Sequence, residues 1–274
     1  MASLNELRGT AFVSGASTGL GEAFARTLLS EGVSVWGTSR DPARLAELAA
    51  AHPGAFHSVE LDLADGPGAL RAFGNAAAAA GGAFDIVINN AGYGVFGEFE
   101  AIESAVWRRQ LEGALLTVME LSHAAYKLMR GRGRGCLVHV SSLAAEFPLP
   151  YMSGYNVVKS GLSALSESLM FESRRSEITI IDFRPGDYRT NFNRAMQTES
   201  VSDTTRKVWG RLDAMLAAAP SPERAAADLR RALLANRSGV VRSGSLFQAR
   251  VAPFLARILP ASWVRASNAR YFGA

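Results

Sequence analysis

The stretch Val138 to Gly161, VHVSSLAAEFPLPYMSGYNVVKSG, joins an apolar, strand-like run ending at Ser141-Ser142 to a helix that begins near Tyr155. It sets Ser142, Tyr155 and Lys159 within reach of one another. Tyr155 and Lys159 stand four apart, so on a helix their side chains share one face about a turn apart. A tyrosine hydroxyl titrates near ~10, and a neighbouring ammonium stabilises the phenolate and lowers that value. The pair therefore predicts an acid/base. A serine hydroxyl at the strand end adds a hydrogen bond to the same oxygen that the tyrosine protonates, the arrangement that reduction of a carbonyl or oxidation of an alcohol needs. A Tyr four residues before a Lys is common on helices, so the pair gains meaning only from the serine and from the glycines upstream.

Those glycines lie near the start of the chain. Ala11 to Ser14 is a short apolar run entering SGASTGLG, and Glu22 to Leu29 has the apolar spacing of an amphipathic helix, giving strand, glycine loop and helix. Gly15 permits the tight turn, while Gly19 and Gly21 let the backbone and the helix N-terminus approach a pyrophosphate. Ser14, Ser17 and Thr18 add hydroxyl donors, and the predicted cofactor contacts in this loop are Gly15, Ser17, Thr18, Gly19, Leu20 and Gly21. A second strand, Ser34 to Thr38, leads into Ser39-Arg40, where an NAD-selective site carries an acidic residue for the ribose 2′-hydroxyl. Arg40 instead offers a fork of donors and a positive charge to a 2′-phosphate, which predicts NADP(H) in preference to NAD(H). Asp41 follows and, with Pro42, reads as the cap of a helix from Ala43 to Ala50.

The alternation then continues. His57 to Leu61 reads as a third strand with Asp62 at its end facing an adenine edge, Gly68 to Ala80 as an alanine-rich helix, and Asp85 to Asn89 as a fourth strand. Asn89, Ala91 and Gly92 follow on the edge where ligands gather, the small residues leaving room for a ribose. Glu103 to Met129 reads as one long helix, separated by the loop Gly131 to Gly135 from a fifth strand that runs to Val140. After the Tyr155 helix come a sixth strand, Ile178 to Phe183, a turn containing Pro185, Gly186 and Thr190, and a last strand, Gly239 to Arg242. Strands and helices alternating with short connections predict a doubly wound, mostly parallel α/β sheet of Rossmann type, about seven strands with helices on both faces.

At 274 residues with 48% hydrophobic content, the chain can bury a full core as a single domain spanning 1–274. Its one cysteine, Cys136, excludes an internal disulfide framework and suits a reducing cytosol. No apolar run approaches the ~20 residues of a membrane span, and the N-terminus lacks a signal-peptide layout, so a soluble, cytoplasmic protein is expected. The net charge of +4 is carried by scattered arginines with no clustered stripe, which argues against nucleic acid. No cluster of metal-ligating residues is read from the sequence.

With these parts assembled, the chain resembles the single-domain form of the short-chain dehydrogenase/reductase family over residues 8 to 245. Ser14-Gly15-Ala-Ser-Thr-Gly19-Leu-Gly21 is similar to that family's TGxxxGxG with Ser for Thr, Asn89 to Gly92 to its NNAG, and Ser142, Tyr155 and Lys159 to its catalytic spacing. The resemblance implies that Tyr155 is the proton donor and acceptor, that Lys159 binds the nicotinamide ribose and lowers the tyrosine pKa, and that Ser142 holds the substrate oxygen. Pro185, Gly186 and Thr190 resemble the motif that holds the nicotinamide carboxamide. Ala114 stands where the family carries an asparagine thought to hold a relay water. Gln110, one turn earlier on the same helix face, is either its substitute or a surface or packing residue.

The expected activity is thus an NADP(H)-dependent hydride transfer at a carbonyl or secondary alcohol of an apolar small molecule. Phe96, Phe147, Leu149, Tyr151, Tyr188, Phe192 and Trp209 are expected near the cleft, with a flap over 187–219. The rival is a nucleotide-sensing binding protein of the same fold that turns over little or nothing. A homodimer or homotetramer is expected, and the segment 245–274, with its stripe Val251, Phe254, Leu255, Ile258 and Leu259, is expected to pack on the body or a subunit rather than on a membrane.

Overall fold

The computed structural model describes residues 4, 8–193, 196–198 and 202–274. Its first half runs β1 (Thr10–Val13), α1 (Gly19–Ser30), β2 (Ser34–Ser39), α2 (Ala46–Ala51), β3 (Phe56–Glu60), α3 (Gly66–Ala79) and β4 (Ile86–Asn89). The second half runs β5 (Val95–Phe96), α4 (Ser104–Leu111), α5 (Val118–Arg132), β6 (Arg134–Val140), α6 (Ser153–Ser173) and β7 (Glu177–Pro185). It ends with β8 (Gln197–Thr198), α7 (Asp203–Ala217), α8 (Pro222–Ala235), β9 (Gly239–Ser243), α9 (Ala252–Ile258) and α10 (Ala261–Phe272). Seven strands form one sheet in the order β3-β2-β1-β4-β6-β7-β9. Every neighbouring pair is parallel, with Ala11 opposite both Val35 and Ile86.

Period-two alternation divides the strands between two helical layers. Phe12, Val87, Leu137 and Ile180 face Phe73 of α3, Leu121 of α5 and Val158 and Leu162 of α6. Val13, Ile88, Val138 and Phe183 face Phe24 and Leu28 of α1 and Leu229 and Leu233 of α8. Each such side chain, fully buried, contributes ~1.5–3 kcal/mol, so a one-residue register slip in any central strand is strongly disfavoured.

Because all seven strands run the same way, their carboxyl ends share one edge. The order reverses between β1 and β4, and the connections leave that point in opposite directions to open a crevice. Above the crevice lies a third apolar cluster built from Phe96, Met152, Tyr155, Val208, Leu212 and Phe272. The two-residue ladder β5–β8 stands outside the main sheet.

Two expectations about helices are corrected. The long helix predicted from Glu103 to Met129 is α4 and α5 joined by a wide π turn over Glu112–Thr117. The turn brings Gly113 against the chain after β3, where an added Cβ would come 3.3 Å from the Leu63 carbonyl oxygen. Thr117 Oγ1 donates to the Glu112 carbonyl at 3.1 Å, supporting the wider turn. The loop expected over Gly131 to Gly135 contracts to Gly133, whose left-handed φ of 77° ends α5 directly before β6. Of the region 187–219, residues 194, 195 and 199–201 lie outside the described residues.

Candidate active site

β6 carries Ser141 and Ser142 to the carboxyl edge. Ser142 caps a single 3-10 turn, Leu143–Ala145, its Oγ accepting from the Ala144 N–H at 3.0 Å and lying 3.4 Å from the Pro185 carbonyl oxygen. On α6, Tyr155, Lys159, Leu162, Ser163 and Ser166 form one buried stripe at helical spacing. Lys159 Nζ donates to the Val140 carbonyl at 2.7 Å and lies 5.6 Å from the centre of the Tyr155 ring. Phe192 closes on the other side of that ring, 5.6 Å between centres. The approach to α6 is pinned by Asn156, which donates to the Leu149 carbonyl at 2.8 Å and accepts from the Leu149 N–H at 3.0 Å.

Burial dominates the electrostatics here. It pushes the Tyr155 hydroxyl up to about 12, opposed by a hydrogen bond with Ser142 and reinforced by the nearby Asp187. It pushes the Lys159 ammonium down to about 8, opposed by Asp182. The net shift of Tyr155 is upward, with burial its largest cause, and Lys159 is not among the groups that lower it here. At neutral pH Tyr155 holds its proton.

The glycine loop is fixed to β4 from behind. Ser14 Oγ accepts from the N–H groups of Asn90 and Ala91, both at 2.9 Å, and donates to the Ile88 carbonyl at 3.4 Å, so it serves the fold and offers no donor to the crevice. Asn90 Nδ2 donates to the Ser14 carbonyl at 3.0 Å. Gly15 and Gly19 take left-handed φ values of 69° and 60°. Thr18 stands extended before α1 with no side-chain cap, leaving the first N–H groups of the helix free for an anion. Gly21 lies behind this surface: a Cβ there would fall 2.0 Å from the Gly15 carbonyl oxygen, so its part is close packing of α1 on the loop.

A cavity of about 1340 Å³ extends from this loop along the crevice. Of the predicted residues, Gly15, Ser17, Thr18, Gly19, Leu20, Arg40, Asp62, Ala91, Gly92, Ser142, Tyr155, Lys159, Pro185, Gly186 and Thr190 all line it. Asn89 and Gly21 do not. Asn89 is turned into the layer of α5, donating to Ser122 Oγ at 2.9 Å, and its neighbour Asn90 lines the cavity instead. Among the expected aromatic and apolar side chains, Phe147, Leu149, Tyr188 and Phe192 reach the cavity. Phe96, Tyr151 and Trp209 pack on one another outside it, with the Phe96 and Trp209 rings 4.9 Å apart.

Among the lining residues Arg44 carried no sequence signal strong enough to select it, while Leu212 and Leu216 fall within the region expected as a flap over the site. Arg44 joins Arg40 at the adenosine end, and Leu212 and Leu216 of α7, with Leu255 and Leu259 near the C-terminus, form the opposite wall. Gln110 is fully buried, donates to the Tyr93 carbonyl at 3.1 Å, and keeps its Oε1 without a partner among the described residues. A Cβ on Gly154 would meet that Oε1 at 2.3 Å, so Gln110 abuts the first turn of α6 and is not a surface residue. Ala114 is packed in the apolar layer with Val118 and Val158.

The short chain dehydrogenase family matches residues 9–201, most of the chain. The chain belongs to the short-chain dehydrogenase/reductase family. It is 33% identical over 185 residues to an uncharacterized oxidoreductase of Schizosaccharomyces pombe, covering 67% of this chain and 62% of that one. It is 28% identical over 180 residues to a 3-ketodihydrosphingosine reductase of Bacteroides thetaiotaomicron, covering 66% and 64%. The chain thus spans under two thirds of the length of these two curated relatives. Among solved structures, a short-chain dehydrogenase from Streptomyces avermitilis superposes with a TM-score of 0.84 at 27% identity, covering 96% of this chain and 98% of that one. The short-chain dehydrogenase family works with a nicotinamide cofactor. The crevice residues fit such a group: two left-handed glycines and a free helix N-terminus face a pyrophosphate position, and two arginines flank its outer end.

Proposed function

We propose that this chain is an NADP(H)-dependent reductase or alcohol dehydrogenase acting on a carbonyl or secondary alcohol of an apolar small molecule, with Tyr155 as the acid/base. The observation that carries the reading is the convergence of Ser142, Tyr155 and Lys159 on one wall of a cavity whose far end holds the glycine loop, Arg40 and Arg44. Bound nicotinamide supplies or accepts the hydride. The chain's own residues do the rest. Tyr155 Oη, protonated at neutral pH, gives its proton to the substrate oxygen in reduction and takes it back in oxidation. Ser142 Oγ donates a hydrogen bond to that oxygen, fixed in place because its lone pair already accepts from Ala144. Lys159, held at the Val140 carbonyl, sets positive charge beside the tyrosine as negative charge develops.

Arg40 and Arg44 support NADP(H), since their guanidinium groups at the β2 end suit a 2′-phosphate; the carboxylate beside them, Asp41, caps Pro42–Leu45 by accepting from the Ala43 N–H at 3.1 Å and lies 3.7 Å from Arg44. Phe147, Leu149, Phe192, Leu212 and Leu216 line the substrate side and favour an apolar substrate, in keeping with the lipid-like substrate in the name of the Bacteroides relative. Exposed Leu116 and Met119 on one side and Val157 and Phe171 of α6 on the other support self-association. No helix among the described residues is long and apolar enough to cross a membrane, and the buried free thiol of Cys136 suits a cytoplasmic setting.

The test is a panel of apolar ketones and aldehydes with NADPH and NADH side by side. Tyr155→Phe should lower kcat by ~100-fold or more with NADPH binding nearly intact. Turnover within about tenfold of the parent would remove Tyr155 from its role. NADPH binding without oxidation across the panel would favour a nucleotide sensor.

A further inference from the structure

The charge of this protein is divided along the chain. Eight of its 29 basic residues and none of its 25 acidic ones follow Asp228, so the last 46 residues carry +8 and the rest of the chain −4. The arginines remain scattered, but those of the last 46 residues have no acidic residue among them. Four of the eight, Arg250, Arg257, Arg265 and Arg270, belong to the segment holding α9 and α10, and among the described residues none of the four is in an ion pair.

α9 and α10 are each two-sided. On α9, Ala252, Leu255 and Ala256, at i, i+3 and i+4, line the active-site cavity, and Leu259 directly after the helix lines it beside them. On α10, Val264, Ser267, Asn268 and Tyr271 repeat that spacing, and Asn268 ties the helix to the loop before α6 by donating to the Pro148 carbonyl at 2.9 Å. The opposite side of α9 carries Phe254 and Ile258, each 63% exposed, one turn apart with Arg250 and Arg257 on the same face. Trp263 of α10 is 66% exposed, and Arg270, two turns on, shares its side. None of Phe254, Ile258 or Trp263 lines the cavity.

A face with large apolar side chains and only positive charge limits what can cover it. A second copy related by a two-fold axis would set these arginines against one another with no acid to meet them. Water leaves the apolar groups exposed. An anionic lipid surface satisfies both halves, since the arginines meet headgroup charge while Phe254, Ile258 and Trp263 enter the headgroup and acyl boundary. We propose that the outer face of α9 and α10 docks this protein on an anionic membrane surface, with the mouth of the active-site cavity held against the bilayer. The proposal does not depend on the substrate reading, because it is tested by binding and not by turnover.

The experiment is sedimentation of the full-length protein with phosphatidylcholine vesicles, with and without phosphatidylglycerol, at low salt and at high salt. Each basic residue near an anionic surface strengthens binding roughly fivefold, so anionic vesicles should be preferred by tenfold or more, and high salt should erase most of the preference. The double substitution Phe254→Ser/Ile258→Ser and, separately, Arg250→Gln/Arg257→Gln should each weaken vesicle binding by about tenfold or more. Circular dichroism and NADPH binding should be unchanged, which separates loss of docking from loss of fold. Trp263→Phe should abolish the blue shift of tryptophan emission that accompanies binding. Equal binding to neutral and anionic vesicles, or variants that bind as the parent does, would overturn the proposal. So would absence of vesicle binding together with a fall in solution mass on Phe254→Ser/Ile258→Ser, which would assign the face to a second copy.

Discussion

His139 sits in β6 at full burial, three residues before Ser142, and makes the acid stability of this fold measurable. Its Nε2 is 2.8 Å from Ser122 Oγ and its Nδ1 2.8 Å from Ser166 Oγ, so each ring nitrogen faces a hydroxyl. Burial pushes its pKa down from 6.5 to about 4, against the pull of Asp182 on β7. The unfolded chain takes up a proton at this residue as pH falls through 6.5, and the folded chain does so only near 4. His139 therefore contributes stability that is fully present above 6.5 and lost progressively as pH falls to about 4. At ~1.36 kcal/mol per pKa unit, a shift of this size removes on the order of 3 kcal/mol over that window, most of it gone by pH 4.5. For a protein of ordinary stability, ~5–15 kcal/mol, that is a large share. Urea unfolding at pH 7.0 and pH 4.5, for the parent and for His139→Gln, isolates the contribution. Whatever the variant's stability at pH 7.0, its own loss between the two pH values should be smaller by about 2 kcal/mol. If parent and variant lose the same stability within ~0.5 kcal/mol, the acid sensitivity lies elsewhere and the reasoning from burial fails.

Arg40→Ala should weaken NADPH roughly tenfold or more and leave NADH nearly unchanged, as loss of a charge-assisted contact of ~1.5–3 kcal/mol requires; equal losses in a titration of both cofactors would make Arg40 a structural residue. Gly21→Ala puts a Cβ 2.0 Å from the Gly15 carbonyl and 2.5 Å from Asn90 Nδ2, both parts of a fixed loop. Overpacking there should cost ~1–3 kcal/mol, lowering Tm by several degrees and weakening both cofactors alike; a variant with parental Tm and affinity would show that the loop yields. Gln110→Ala removes the side chain that abuts the first turn of α6, so kcat should fall several-fold and its pH profile should move while the NADPH dissociation constant does not. A loss confined to Tm would reduce Gln110 to packing.

The strands were legible because each is apolar on alternating positions that two helical layers must bury, and the crevice because the turns after them carry glycine, asparagine and serine in place of bulk. What a pattern of residue types does not specify is the direction of a polar side chain at a strand end. Asn89 and Asn90 are the same residue in adjacent positions, yet the pleat turns the first into the α5 layer and the second toward the glycine loop. Ser14 read as a donor to a ligand for the same reason, and its hydroxyl is taken by the backbone of Asn90 and Ala91. The π turn was hidden because Glu112 to Thr117 has acceptable helical composition, and the bulge answers a close approach to Leu63 that only tertiary structure creates. α7 was expected over the site, but the apolar stripe of α9 was read only as packing on the body or a subunit, because one face of an amphipathic helix does not say what it faces.

Asp182 shows how much of the site is held from outside the three residues that touch substrate and cofactor. Within the strand it reads as one polar position in an apolar run, TIIDF. In the structure it is fully buried and accepts from Ser141 Oγ, from Ser163 Oγ at 2.7 Å and from Arg184 Nε at 2.7 Å. Ser141 precedes Ser142, and Ser163 stands one turn beyond Lys159, so a single carboxylate joins the strand end that carries the serine to the helix face that carries the lysine. Arg184 is in turn bound by Glu146, four residues past the Ser142 cap, at 2.6 Å. Burying a carboxylate is costly unless it is paired and hydrogen-bonded, and here both conditions are met. Asp182 also opposes the loss of charge at Lys159, whose one protein hydrogen bond among the described residues is to a neutral carbonyl. The same negative charge therefore fixes where the serine and lysine stand and keeps the lysine a cation at neutral pH, and neither effect needs Asp182 to reach the cavity.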